Sequence, residues 1–152
     1  SGTGLVLLQF GGNAMPYIKS KEGATNYGES FRNQIKYLKS ILPDAAFIVI
    51  GPSDMSESVD GNWQTYTHLE DVRNALRDVA LSEGCGFWDM YAVMGGKNSM
   101  ISWVANNPQY AGDDHVHFTP AGAKKVAGLL YKAIEEEYEA WKQNKIEEIP
   151  AK

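Results

Sequence analysis

Cysteine is nearly absent from this chain, with one residue, Cys85, in 152. A lone thiol excludes an internal disulfide and a thiolate-rich zinc site, and it leaves the redox compartment unspecified. Positive charge is scarce as well. The 14 lysines and arginines are outnumbered by 19 acids, for a formal net charge of -5 and a pI near 5.2. No basic run is longer than Lys124-Lys125. This balance argues against nucleic acid as a partner, because affinity for a phosphate backbone comes largely from Lys and Arg that neutralise it. Long apolar runs are missing too: none approaches the ~20 residues that cross a bilayer. The first residues are not a charged segment followed by an apolar signal core. No membrane span is expected. The compartment stays open between the cytoplasm and export, for instance to a periplasm, with the signal already removed.

What the chain does contain is a 43% hydrophobic composition, enough for one packed domain over residues 1–152. Leu5-Val6-Leu7-Leu8-Gln9-Phe10 is a continuous apolar run of the kind found in strands buried on both faces. After a Gly11-Gly12-Asn13 turn, Tyr27, Phe31, Ile35, Leu38 and Leu42 recur at helical spacing until Pro43 stops the pattern. Ala45 to Ile50 reads as a second buried strand, broken by Gly51-Pro52. Leu69, Val72, Leu76, Val79 and Ala80 mark a second helix ending near Gly84. Gly86 to Tyr91 reads as a third short strand, followed by a helix over Ser99 to Ala105 and a polar loop from Asn106 to Asp114. Thr119-Pro120 supplies an N-cap and a first-turn proline for a long helix, with Val126, Ala127, Leu130, Ile134, Tyr138 and Trp141 on one face and a fraying end from Lys142 to Lys152. Strands alternating with helices predict an α/β fold with a parallel sheet and right-handed crossovers.

In open parallel sheets, ligands gather outside the carboxyl ends of the strands. Gly11-Gly12-Asn13, Gly51-Pro52-Ser53-Asp54 and Asp113-Asp114-His115-Val116-His117 all fall there. An Asp three residues before a His in a turn can fold its carboxylate onto one ring nitrogen, so that the other serves as a base. Asp114 and His117 have that spacing; the alternative is a surface loop whose acids approach a helix N-terminus. A glycine turn ending in asparagine lets an amide reach a developing oxyanion. Equally, Gly and Asn together suit a plain turn.

An apolar strand leading to Gly-x-Asn, with Asp-x-x-His and Thr-Pro-x-Gly before a terminal helix, resembles the third and fifth conserved blocks of the SGNH, or GDSL-like, ester hydrolases. The likeness spans essentially the whole chain as the C-terminal half of that family, and Asp114 to Gly122 is its most specific part. It implies a flavodoxin-like three-layer sheet and cofactor-free hydrolysis of small acyl esters, often acetyl groups, on small molecules or carbohydrates. It also implies Asn13 as oxyanion donor in a loop with Gly11 and Gly12, His117 as base and Asp114 as its orienting carboxylate. The family's Gly-Asp-Ser block and its oxyanion glycine precede Gly11 in that pattern. Neither occurs in this chain, and Ala14 stands where the family usually has Asp.

Two serines imitate the missing nucleophile. Gly28-Glu29-Ser30 follows no buried strand and opens a helix, where Ser30 reads as a local cap, whereas Ser53 does follow one but would need a permuted order of blocks. Asp113, Asp114, His115 and His117 offer a competing metal-dependent hydrolase, since residues two apart on an extended segment point the same way. A further competitor is a non-catalytic binding domain that keeps the hydrolase fold. The absence of a serine, together with a start inside an apolar strand, leads us to expect a longer native chain that supplies the nucleophile. It also leads us to expect an unpaired strand edge that recruits another chain or an upstream fragment.

Overall fold

The computed structural model describes residues 2–147. Strand β1 (Leu5–Gln9) is followed, after Phe10, by Gly11, whose φ of +109° turns the chain into a short 3-10 helix, Gly12–Tyr17. A side chain at Gly11 would meet Leu76 at 3.1 Å and Pro52 at 3.3 Å, so packing and backbone angle both require glycine there. Helix α1 (Lys21–Ile41) starts at Ser20, whose hydroxyl accepts the Gly23 N–H at 3.0 Å, and buries Ala24, Gly28, Phe31 and Ile35. Because the helix begins upstream, Ser30 is not a cap: it lies mid-helix and donates to the Asn26 carbonyl at 3.0 Å.

Strand β2 (Ala46–Ile50) leads into a hairpin that apolar periodicity does not reveal, β3 (Ser56–Val59) and β4 (Asn62–Thr65). Its turn is Asp60-Gly61, both at positive φ, as a two-residue hairpin loop requires. Helix α2 (Leu69–Ser82) buries all five apolar positions expected of it. Strand β5 is shorter than the sequence suggests, Gly86–Trp88, because the Asp89 carboxylate accepts the Ala92 N–H and caps α3 (Met90–Met94). Helix α4 (Ser99–Ala105) has the expected bounds, and α5 runs from Pro120 to Glu147. Lys142 to Glu147 is therefore helical rather than frayed, and the rest of that expectation, residues 148–152, lies outside the described residues.

The main sheet is parallel, in the order β1-β2-β5, with Leu7 opposite Ile48 and Val49 opposite Phe87. One face carries the larger core, in which Leu8, Phe47 and Val49 pack with Phe31, Ile35, Leu69, Leu76 and Val79 of α1 and α2. Ile50 opens a second core on the other face with Met90, Met94, Met100 and Trp103, against which Val126 and Leu130 of α5 pack. Helices on both faces of a parallel sheet make the three-layer α/β arrangement of a partial flavodoxin-like fold.

The first strand departs from expectation in one respect. Val6 and Leu8 face the larger core, but Leu5 and Leu7 point to the other face and remain 45% and 46% exposed. On that face α5 lines its groove with Ile48 of β2 and Gly86, Phe87 and Trp88 of β5, which leaves the outer side of β1 uncovered. Among the described residues β1 pairs with β2 alone, so it is an edge strand.

Candidate active site

Asp114 and His117 meet in a tight turn built by three backbone hydrogen bonds. Gly112 N–H donates to the His117 carbonyl at 2.8 Å, His115 N–H to the Gly112 carbonyl at 2.9 Å, and Thr119 N–H to the Tyr110 carbonyl at 3.0 Å. Within it, Asp114 Oδ1 accepts the N–H groups of Val116 at 2.9 Å and His117 at 3.0 Å, while Oδ2 lies 2.7 Å from His117 Nδ1. The backbone N–H of His117, its ring and the Val116 N–H together hold the Asp114 carboxyl down at about 2. With Nδ1 engaged, Nε2 is the nitrogen free for proton transfer, on a side chain that is 80% exposed.

The Thr-Pro-x-Gly segment acquires a physical meaning here. Thr119 Oγ1 accepts the Gly122 N–H at 3.2 Å and donates to the Gln109 carbonyl at 2.6 Å, tying the start of α5 to the loop. A side chain at Gly122 would sit 1.7 Å from the Tyr110 carbonyl oxygen, so only glycine lets the helix approach this closely.

Gly11, Gly12 and Asn13 form one wall of a cleft of about 330 Å³ whose other walls are Gln9, Phe10, Tyr27, Pro52 and Ser53. Asn13 is exposed, on the first turn of the 3-10 helix. Burial pushes the Tyr27 phenol above its usual range, and the Gly11 backbone partly offsets this. Asp114 and His117 do not line this cleft; Met55 and Ser56 connect its loop to their turn, since a side chain at Gly12 would lie 3.4 Å from Met55 Sδ and Ser56 N–H donates to the His115 carbonyl at 3.0 Å. Ser53, which follows β2, shares the cleft with Asn13.

The four-residue metal cluster does not assemble. Such a cluster requires an extended segment, but His115 has φ of +57° and the chain turns at that residue. The His115 ring is buried, 8% exposed, beneath Trp63, while His117 projects outward and Asp113 is engaged by the Gln109 amide at 3.1 Å. Among the described residues no three His, Cys, Asp or Glu side chains are placed to share a metal ion.

Asp54 is a polar residue whose role the sequence does not disclose. It is fully buried at 0% exposure, and its carboxylate accepts from Thr65 Oγ1 at 2.7 Å, Met100 N–H at 2.8 Å and Ser99 Oγ at 3.4 Å. Burial outweighs those donors and raises its pKa. Thr65 in turn accepts the Asn98 N–H at 2.7 Å, so Asp54 fastens β4 to the start of α4. Of the tryptophans, Trp103 is core and donates to the Met94 carbonyl at 3.1 Å, Trp88 is half-buried, and Trp63 stays 41% exposed over His115.

A parallel sheet with an Asp–His pair in the turn before its last helix, and a Gly-Gly-Asn loop after its first strand, defines the class of SGNH-type α/β hydrolases. The sequence places the chain within it: residues 1–130 match the GDSL-like Lipase/Acylhydrolase family, and the chain belongs to that family. Its structure is similar to that of a peptidoglycan O-acetylesterase, with a TM-score of 0.78 and 25% identity over 90% of this chain and 38% of the other. It also shares the fold of an acetyl xylan esterase, with a TM-score of 0.61 and 20% identity over 86% of this chain and 66% of the other. The chain thus spans well under half of the peptidoglycan O-acetylesterase. No curated protein sequence matches it.

Proposed function

We propose that this chain supplies the base and part of the oxyanion site of a serine ester hydrolase acting on small acyl esters, acetyl esters of carbohydrates foremost. The observation that carries the reading is the 2.7 Å contact between Asp114 Oδ2 and His117 Nδ1, with Asp114 further fixed by two backbone N–H groups. Membership of the acylhydrolase family and the two acetylesterase likenesses support it.

In this reading a serine carried by a segment outside the present sequence attacks the acyl carbonyl. His117 Nε2 takes its proton, and Asp114 stabilises the imidazolium that results. The carbonyl oxygen, now negative, receives a hydrogen bond from the Asn13 side-chain amide, a contribution worth ~3–4 kcal/mol for one such donor. Collapse of the tetrahedral adduct expels the alcohol, which takes its proton from His117, and leaves an acyl-serine. Water, activated by the same imidazole, then releases the acid. The uncovered edge of β1 and its exposed Leu5 and Leu7 suit docking of the segment that brings the serine.

Hydrolysis of a chromogenic acetyl ester and of an O-acetylated glycan tests this, with the present chain compared against a longer one bearing a serine segment. The longer chain is expected to turn over both substrates while the present chain shows almost none. Equal rates would refute the division of labour. Asn13→Ala in the longer chain should lower kcat by roughly 10²–10³ with little change in KM.

A further inference from the structure

The catalytic pair assigned above is exposed, yet its geometry is well defined. Asp114 and His117 have side chains that are 52% and 80% exposed. Two exposed side chains on a free loop would sample many rotamers, and a proton relay needs one geometry. Something must immobilise the backbone between them.

Two residues lie between them: Val116 packs against the larger core, and His115 is fixed by three independent contacts. Its carbonyl accepts the Ser56 N–H at 3.0 Å, its N–H donates to Gly112, and its ring stacks under Trp63 with centroids 4.1 Å apart and planes 16° apart. It is also held at φ of +57°, a conformation that non-glycine residues adopt reluctantly and that persists where surrounding contacts over-determine it. Trp63 and Ser56 both belong to the β3–β4 hairpin, and Ser58 and Trp63 face each other across it. The hairpin is itself pinned by the buried carboxylate of Asp54 through Thr65. A rigid path therefore runs from a buried acid, through the hairpin, to the turn that carries the base.

We propose that Trp63 and His115 are positioning residues: the indole clamps His115 in its left-handed conformation, and the clamp sets the approach of the Asp114 carboxylate to the His117 ring. This rests on the reading of Asp114 and His117 as the catalytic pair. Trp63 itself needs no contact with substrate; it acts through His115. A flat aromatic is required at position 63, because the contact is a near-parallel stack rather than general apolar packing. At position 115 a planar ring is required, not merely a residue tolerant of positive φ.

Carbon-detected NMR titration of the Asp114 carboxyl, with the amides of Val116 and His117 as reporters, tests the clamp on the chain as it stands. In the wild type the midpoint is expected at about 2. Trp63→Leu and His115→Asn should move it upward by about one unit or more, toward the ordinary 3.8, as the turn loosens and its donors leave the carboxylate. Trp63→Phe should keep the wild-type midpoint. In a serine-bearing chain the same two variants should lose roughly tenfold or more in kcat with KM nearly unchanged. If Trp63→Leu and His115→Asn both titrate as wild type while only the melting temperature falls, the stack is structural and the proposal is overturned. Asparagine tolerates positive φ, so His115→Asn keeps the test open even where Trp63→Leu lowers stability. The titration requires neither serine nor ester, so a failure of the hydrolase reading would not be mistaken for a failure of the clamp.

Discussion

Asp114 grips His117 at two points, accepting the backbone N–H at Oδ1 over 3.0 Å and facing the ring nitrogen from Oδ2 at 2.7 Å. One carboxylate thus fixes both the backbone and the ring of the same residue. A single substitution at 114 therefore removes the ring's orientation and loosens the turn together.

Asp114→Asn in a serine-bearing chain is expected to lower kcat on the order of 10³–10⁴-fold, as when a triad carboxylate is neutralised. The pH dependence follows from the depressed carboxyl. Its contribution to the folded turn is fully present above the ordinary value of 3.8 and is lost as pH falls through about 2. Asp114 remains ionised across the neutral and mildly acidic range, so it does not set the acid limb of activity above about pH 4. Because the pair is largely exposed, solvent screens it and global stability changes little. NMR titration and a pH–rate profile check both points.

Asp54 separates charge from hydrogen bonding. Asp54→Ala strands the buried Met100 N–H without its acceptor, at a cost of about 1–3 kcal/mol, and leaves the Thr65 hydroxyl only its longer contact to Asn98 Oδ1. Asp54→Asn can serve both neighbours: its carbonyl accepts from Met100, its amide donates to Thr65 Oγ1, and the Thr65 hydroxyl turns to Asn98 Oδ1, already 3.3 Å away. The raised pKa shows the charged form to be costly, so stability linked to Asp54 is greatest below its ordinary value and declines as pH rises through the elevated one. Urea denaturation at neutral pH is expected to place Asp54→Asn near wild type and Asp54→Ala well below it.

Two glycines of α5 should respond in opposite directions. Gly122→Ala forces a methyl to within 1.7 Å of the Tyr110 carbonyl, which is backbone and cannot swing away, so a loss of ~3 kcal/mol is expected. Gly128 has nothing within 4 Å of an added methyl and lies inside the helix, so Gly128→Ala should stabilise by about 0.5–1 kcal/mol. Thermal melts of the two variants side by side decide this.

Leu7→Lys probes the open face of β1. In the present chain Leu7 is 46% exposed, so the change should shift stability by no more than about 0.5 kcal/mol while reducing self-association in sedimentation. In a chain that carries a segment docked on β1 the same lysine would be buried and destabilising. A loss of stability of equal size in both would contradict docking at this face.

The sequence by itself determined much of this protein. Apolar periodicity located the parallel strands and the long helices, because each such element must turn one face to a core and that face repeats with the geometry of the backbone. The spacing of Asp114 and His117 likewise foretold their contact, since a turn of that length closes locally. The Asp60-Gly61 pair carries a hairpin signal, but its flanking strands, Ser56–Val59 and Asn62–Thr65, are polar and lack the alternation that announces a buried sheet. Tertiary structure alone decided the rest. It buried His115 under Trp63, far away in sequence, and so undid the metal cluster that local spacing allowed. It gave Asp54 its donors from β4 and α4, and it left Leu5 and Leu7 facing outward from a strand whose composition reads as buried. Each of these depends on which distant element lies against a residue, and the residue's own neighbours in the chain carry no record of that.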